Sequence, residues 1–260
     1  MHTERNVVVY YSGWLIVNHE KTGINDLDMN GFMAMFHGLD VTKGLDLILH
    51  TEGGVTSATE SIINYIYEIF EGNVRAIVPQ LAMSGGTIIA CSCKEIIMGK
   101  QSSLGPIDPQ LNNAPAQGIL EEFNNAKEEI KKDPSCIPLW QQIISRYPIA
   151  LLDSCYKSID WSYKMLKEFL CRNMFEDEEN TEFVNEIVNQ LGSRESNKGH
   201  DRHISLNKCL EMGLKVTPLE NDQTLQDYVL TIHHICLEIF GSNNIYKIFC
   251  SQNNILFYIY

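Results

Sequence analysis

The sequence predicts an α/β fold, with parallel βαβ units in the first half and a largely helical region in the second. Up to about residue 100, short apolar runs alternate with segments of helical periodicity, as strands and crossover helices do in a parallel sheet. Glycine-rich turns separate the two kinds of segment. We therefore expect an α/β core over residues 1–117 and a mainly helical extension over residues 118–260.

The elements of the first half follow from their patterns. The four predicted strands are the apolar runs at 7–14, 44–50, 74–80 and 94–99. The predicted helices between them cover 24–39, 56–70 and 84–92. Parallel strands joined by helices require right-handed crossovers. The next segment, "SSLGPIDPQ" at 102–110, contains two prolines and a glycine and is predicted to be a loop or an irregular strand.

The second half is predicted from helical patterns and a terminal hairpin. Helical patterns cover 118–132, 138–147, 150–173, 181–192, 205–213 and 224–241. A polar gap, "SRESNKGHDR", separates the fourth of these from the fifth. The last apolar runs, 245–250 and 255–260, flank "SQNN" and predict an antiparallel hairpin.

Composition limits the classes of partner. The chain has 260 residues, 44% of them hydrophobic, and can bury a substantial core. Its formal net charge of −13 disfavours nucleic-acid binding, because phosphate backbones are bound by clustered lysine and arginine. The eight cysteines are scattered without paired CxxC spacing, which indicates reduced thiols and neither a disulfide framework nor a zinc ribbon. We expect no metal and no cofactor.

The apolar segments predict a cytoplasmic protein. The longest N-terminal run, residues 7–17, is shorter than the roughly 20 residues that a membrane-spanning helix needs. It also lacks the basic region and the small-residue cleavage site of a signal peptide. We therefore expect no membrane span.

Two glycine turns mark the edge of the sheet where function is expected. Gly53 and Gly54 follow the second predicted strand, and Ser84 and Gly85 follow the third. Because the carboxyl ends of parallel strands meet at one edge, both turns should face one cleft. There, Ser84 would lie at a helix N-terminus, and the N–H groups of Gly54 and Gly85 would form an oxyanion hole. Taken alone, each glycine pair is more often a structural turn.

Three sequence motifs together resemble one protein superfamily. "LDLILHTEGG", "AMSGGTIIA" and "IIMGKQSSLGPIDPQ", in this order and spacing, resemble the Clp-protease and crotonase-like superfamily, and most of all its signal-peptide-peptidase A and serine dehydrogenase proteinase branch. "YYSGW" and "HDRH" resemble the serine dehydrogenase proteinases, so the similarity covers nearly the whole chain. The resemblance implies a spiral of βαβ units and a homo-oligomer. It also implies a serine endopeptidase with nucleophile Ser84, which acts on peptides or unfolded proteins, with Gly53, Gly54 and Gly85 binding the oxyanion or substrate.

The resemblance leaves the base that activates Ser84 open. Clp proteases have a histidine in the loop where this chain has Asp108, so that triad is absent. Signal-peptide-peptidase relatives use a lysine on a later helix, a position that Lys127 matches, and we expect a Ser84–Lys127 dyad. A lysine acts as a base only where burial or nearby cations lower its pKa, and the alternative is a solvated surface lysine. His200 and His203 are rival bases or orienting groups, as is Asp108, which fits a structural turn equally well.

One departure from the superfamily pattern favours other functions. Glu52 stands where the turn usually has proline, and its negative charge opposes a developing oxyanion. The main alternative function is therefore a catalytically weakened scaffold or regulatory protein of the same fold. A crotonase-like acyl-CoA enzyme is less well supported, because no basic patch for the CoA phosphates is evident.

Overall fold

The computed structural model describes residues 2–111, 114–176, 181–193, 199 and 201–260. In chain order its strands are β1 (Asn6–Ser12), β2 (Leu45–His50), β3 (Val74–Val78), β4 (Leu81–Ala82), β5 (Glu95–Met98), β6 (Ser103–Leu104), β7 (Gln110–Leu111), β8 (Ala114–Pro115), β9 (Ile204–Ser205), β10 (Val216–Pro218), β11 (Lys247–Ser251) and β12 (Leu256–Ile259). The helices are α1 (Asp28–Phe36), α2 (Thr56–Phe70), α3 (Gly85–Cys91), α4 (Ala116–Lys132), α5 (Ile137–Ile144), α6 (Leu151–Phe169), α7 (Thr181–Gly192), α8 (Leu206–Glu211) and α9 (Gln223–Ser242).

The main sheet has seven strands in the order β10-β5-β3-β2-β1-β11-β12. The strands from β10 to β1 are parallel, and β11 and β12 are antiparallel to their neighbours. The register aligns one row of side chains across four strands, namely Val8, Leu47, Ala76 and Ile96. This row belongs to the larger buried cluster of the protein, so the register places one face of the sheet against the main core.

Both faces of the main sheet are covered, as parallel strands with continuous apolar sequences require. On the face of the larger cluster, residues of α1, α2, α3, α6 and α7 pack against the strands. On the other face, Val9, Ile48 and Ile77 pack against α9 through Val229 and Phe240. The chain therefore forms three layers, with helices on each side of the sheet.

A second sheet, β4-β6-β9, positions the turn that carries Ser84. In it, β4 and β6 are parallel and β9 is antiparallel to β6. A single bridge between Thr51 and Ala82 joins the end of β2 to β4. This bridge brings the turn after β2 beside the turn after β4.

The predicted α/β fold with a largely helical C-terminal region is confirmed, and so is the terminal hairpin, since β11 and β12 pair antiparallel. The segment 102–110, predicted to be a loop or an irregular strand, contains β6 and the start of β7, which are too short to leave a periodic pattern. β10 escaped prediction for the same reason. Because β10, β11 and β12 join the main sheet, the sheet draws on both predicted regions, and the division at residue 117 stays a prediction.

Within the described residues, no helix combines the length and the apolar character that crossing a membrane would require.

Candidate active site

A cavity of about 620 Å³ lies beyond the carboxyl ends of β1, β2 and β4. Three stretches of chain that follow these strands contribute to its wall, and α6 and the segment around β7 contribute the rest. Its lining residues include Trp14, His19, Glu20, Thr22, Gly23, Glu52, Gly53, Gly54, Ser84, Gly85, Ile107, Pro109 and Gln110. The cavity therefore lies where the carboxyl ends of parallel strands place ligand sites in α/β proteins.

Ser84 occupies the sharp turn between β4 and α3. Its backbone angles are φ 50° and ψ −114°, in a region that residues with a Cβ rarely adopt. Its side chain is half-buried and makes no capping hydrogen bond to α3. A strained serine that does not cap its helix presents its hydroxyl to the cavity that it lines, and such strain is concentrated at functional sites.

The Gly53–Gly54 turn packs directly against this serine. Gly53 has φ 95°, and a Cβ on it would lie 2.7 Å from both the Met83 carbonyl oxygen and the Ser84 Cβ. A Cβ on Gly85 would lie 3.5 Å from the Gly54 nitrogen, so the two backbone amides are neighbours. The close approach at Gly53 requires glycine there, and at Gly85 a Cβ would lie only 2.7 Å from the Thr59 hydroxyl oxygen.

Two backbone N–H groups at the turns are available to a ligand. The Gly53 N–H donates to the Thr51 hydroxyl at 3.1 Å, but the Gly54 N–H has no acceptor among the described residues. Gly85 opens α3, where the first N–H groups of a helix lack an intrahelical acceptor. The pair can donate to one oxygen that carries negative charge.

Glu52 places a carboxylate at the cavity wall. Its side chain is half-buried, and its Oε1 accepts a hydrogen bond from the Thr22 hydroxyl at 2.5 Å. Glu20 lines the same cavity, and among the described lining residues there is no lysine or arginine. The cavity is therefore acidic.

The structure brings Ser84, Gly53, Gly54 and Gly85 together, but not the predicted dyad. Lys127 is exposed on α4 and does not line the cavity, because Ala126 takes the buried side of the helix at that level. The predicted Ser84–Lys127 pairing is thus not formed in this structure.

Of the other predicted orienting groups, the two that the structure describes, Asp108 and His203, do not line the cavity. Asp108 is buried and its Oδ2 accepts from Gln110 Nε2 at 2.8 Å, while its neighbours Ile107 and Pro109 line the cavity. His203 is exposed just before β9. His200 lies outside the described residues.

The sequence reasoning missed His19, the imidazole that lines the cavity together with Ser84. Its ring stacks on Tyr246 with centroids 4.2 Å apart, and its Nδ1 accepts from the Lys21 N–H at 3.1 Å. The signal was present in the sequence, because the segment after β1 had to reach the same sheet edge as the two glycine turns.

In the described part of the chain, no group of three or more histidine, cysteine, aspartate or glutamate side chains is arranged to hold a metal ion.

Residues 39–230 match the family model of the ClpP-like SDH-type serine proteinases. The chain belongs to this family. The resemblance to the serine dehydrogenase proteinases that the motifs predict is thereby confirmed.

The chain is also similar to two uncharacterized proteins of Methanocaldococcus jannaschii. It is 32% identical to MJ1495 over 172 residues, which are 66% of this chain and 51% of that protein. It is 32% identical to MJ0137 over 174 residues, which are 67% of this chain and 54% of that protein. The chain therefore spans about half the length of these relatives.

A solved structure of a mutant of the 1510-N membrane-bound stomatin-specific protease is similar in fold. The likeness covers 75% of this chain and 74% of that chain, with a TM-score of 0.43 and 15% sequence identity.

Proposed function

We propose that the protein is a serine peptidase that hydrolyses peptide bonds through an acyl-enzyme on Ser84. One observation carries the proposal: in a member of a serine proteinase family, a strained serine shares a cavity with two backbone N–H groups that have no acceptor in the described part of the chain. The substrates that we propose are peptides or unfolded proteins, because an extended chain can enter an open cleft at the sheet edge.

The chemistry runs in two stages. The Ser84 hydroxyl oxygen attacks the carbonyl carbon of the scissile bond, its proton passes to a base, and the carbonyl electrons move onto the oxygen. The N–H groups of Gly54 and Gly85 stabilise this oxyanion. Collapse of the intermediate expels the amine, which takes the proton, and leaves an ester on Ser84. Water then attacks the ester, releases the carboxylic acid and restores the hydroxyl.

We propose two candidates for the base that takes the Ser84 proton, Lys127 and His19, and substitution of each one distinguishes them. Lys127 is the candidate that the sequence resemblance supplies, but its side chain is exposed on α4 and does not line the cavity that contains Ser84. Lys127 would therefore have to be buried by a second subunit or by a movement of α4. His19 is the candidate that the cavity supplies, and its ring would have to release the Lys21 N–H or use Nε2.

The acidic cavity separates this function from the acyl-CoA alternative. The phosphates of CoA carry several negative charges that lysine and arginine side chains bind well, whereas the described residues of this cavity include two carboxylates and no lysine or arginine. We therefore propose peptide substrates over acyl thioesters. A weakened scaffold remains the second candidate function, because Glu52 places negative charge beside the amides that would bind the oxyanion.

Hydrolysis of an unfolded protein tests the proposal. Purified protein is incubated with fluorescently quenched casein, alongside Ser84→Ala, His19→Ala and Lys127→Ala. We expect release of fluorescence by the wild type and none by Ser84→Ala. Of the other two variants, the one that lacks the base should be the inactive one. Equal release by the wild type and Ser84→Ala would contradict the proposal.

A further inference from the structure

Lys247 is a fully buried lysine behind the candidate active site. It opens β11, where it pairs with Ser12 of β1, and its exposed fraction is 0%. Its Nζ donates to Asp28 Oδ1 at 2.7 Å, to Asp28 Oδ2 at 2.8 Å and to the Gly23 carbonyl oxygen at 2.6 Å. All of its hydrogen-bonding capacity is therefore directed at the start of α1 and the segment before it.

Asp28 is held as firmly as the lysine. Its exposed fraction is also 0%, and its Oδ2 accepts from the Tyr10 hydroxyl and from the Asn25 N–H, each at 3.0 Å. Burial raises the pKa of Asp28 and lowers that of Lys247, and each charge opposes the shift of the other. Because an apolar pair of the same volume is often at least as stable as a buried ion pair, stability alone does not explain a lysine here.

The acceptor that is not part of the ion pair links Lys247 to the cavity. Gly23 lines the cavity, and the next residue, Ile24, forms a parallel bridge with Gly54. In this bridge the Ile24 N–H donates to the Gly53 carbonyl at 2.7 Å, and the Val55 N–H donates to the Ile24 carbonyl at 2.8 Å. The two bonds hold the peptide units on either side of the Gly54 Cα, and the first of these units contains the Gly54 N–H.

We propose that Lys247 is a positioning residue for the Gly53–Gly54 turn. Its ammonium, held by Asp28, fixes the Gly23 carbonyl, and the Ile24 bridge passes this constraint to the Gly54 N–H that faces the oxyanion. Residues 23 to 28 and Lys247 all lie outside the range 39–230 that matches the family model, so the device is separate from the matched motifs. The catalytic effect of this positioning rests on the proposed function. The positioning of the turn itself rests on the contacts of Lys247 and Ile24.

The test variant is Asp28→Asn/Lys247→Met, which removes both buried charges together and so avoids leaving one unpaired. The matched control is Asp46→Asn/Arg75→Met. Asp46 is also buried, and it accepts from Arg75 at 2.8 Å and from Arg5 at 2.7 Å, but this cluster lies at the amino end of β2, opposite the cavity. In the control, Arg5 keeps its hydrogen bonds to the carbonyl oxygens of Leu45 and Asn73. If the test variant does not fold, Lys247→Gln, which keeps a donor of shorter reach, replaces it.

Two readouts are compared in each protein. The first is hydrogen exchange of the Ile24 and Val55 amides, which reports the bridge directly. The second is the rate at which a fluorophosphonate labels Ser84, which reports the oxyanion donors. We expect the test variant to exchange these amides roughly tenfold faster or more and to be labelled roughly ten- to a hundredfold more slowly. The control should stay within about twofold of the wild type in both, since it does not contact the turn.

Unchanged exchange of the two amides in a folded test variant would overturn the positioning role. Faster exchange with an unchanged labelling rate would show that Lys247 does not act on the oxyanion turn. Equally fast exchange and equally slow labelling in the control would show that the test variant is only destabilised in general. If the wild type takes no label at all, the proposed function fails, and the exchange result alone then decides whether Lys247 positions the turn.

Discussion

At the scale of single residues, the charge of Glu52 decides how well the candidate site can work. Its carboxylate lines the cavity one residue before Gly53 and accepts from the Thr22 hydroxyl. A negative charge beside the Gly54 and Gly85 amides opposes an oxyanion, and the partial exposure of Glu52 screens this effect without removing it. Glutamine would keep the acceptor for Thr22 and remove the charge.

We therefore predict that Glu52→Gln raises the rate of fluorophosphonate labelling at Ser84 by roughly three- to tenfold. Glu68→Gln removes the same charge from an exposed position on α2 and should leave the rate unchanged. A labelling rate that falls in Glu52→Gln would show that the carboxylate contributes to the site.

His50 gives the protein a pH-dependent stability. Its side chain is fully buried and stacks on Tyr11, and burial lowers its pKa to about 4. The unfolded chain, with a pKa of about 6.5, binds a proton that the folded protein excludes over this window. The contribution of His50 is therefore present above pH 6.5 and is lost as the pH falls toward 4.

Urea unfolding at pH 7 and pH 5 measures this contribution. His50 should account for a loss of about 2 kcal/mol in the free energy of unfolding between these pH values. His50→Gln should lose correspondingly less, whereas His37→Gln, which removes an exposed imidazole, should lose as much as the wild type. The same pH dependence in His50→Gln and the wild type would contradict the assignment.

At the scale of elements, the turn after β2 is the part of the site that tolerates least change. Gly53 combines a left-handed φ with backbone 2.7 Å from the position of any added Cβ, so both strain and a clash oppose substitution. Gly38, after α1, has φ 74° and open space around it. The two glycines thus separate the cost of the backbone angle from the cost of the close approach.

We predict that Gly53→Ala lowers the free energy of unfolding by roughly 3 kcal/mol and slows Ser84 labelling at least tenfold. Gly38→Ala should cost about 1 kcal/mol and leave labelling unchanged. Equal effects of the two substitutions on labelling would show that the packing of Gly53 against Ser84 has no functional role.

The sequence predicted these turns because strand, glycine and helix follow each other within a few residues, and parallel strands share one carboxyl edge. It did not predict β6 or β10, since pairs and triplets of residues carry no period. The sequence also could not predict which residue is the base. Neighbouring residues on a helix can lie on its buried and its exposed side, as Ala126 and Lys127 do. His19 could have been found from the sheet edge alone.

At the scale of the whole molecule, the site depends on chain that is distant in sequence. β11 lies between β1 and β12, one strand from the edge of the main sheet, and brings Lys247 to the segment behind the glycine turn. Long-range pairings of this kind leave no local pattern, so the terminal hairpin was predictable while its place in the sheet was not.

We predict that the protein forms a homo-oligomer, as the family resemblance implies, and sedimentation velocity at low and high protein concentration measures this. The expected result is a species heavier than the monomer that persists on dilution. Lys127→Ala should sediment like the wild type if Lys127 serves catalysis alone. A monomer at every concentration would contradict the prediction.

The site of covalent attachment by a fluorophosphonate tests the central claim most directly. Folded wild-type protein is labelled, digested and mapped by mass spectrometry, with Ser84→Ala treated in parallel. We predict one adduct per chain, located on Ser84, and no adduct in the variant. An adduct on another residue, or no adduct on folded protein, would contradict the assignment of Ser84 as the nucleophile.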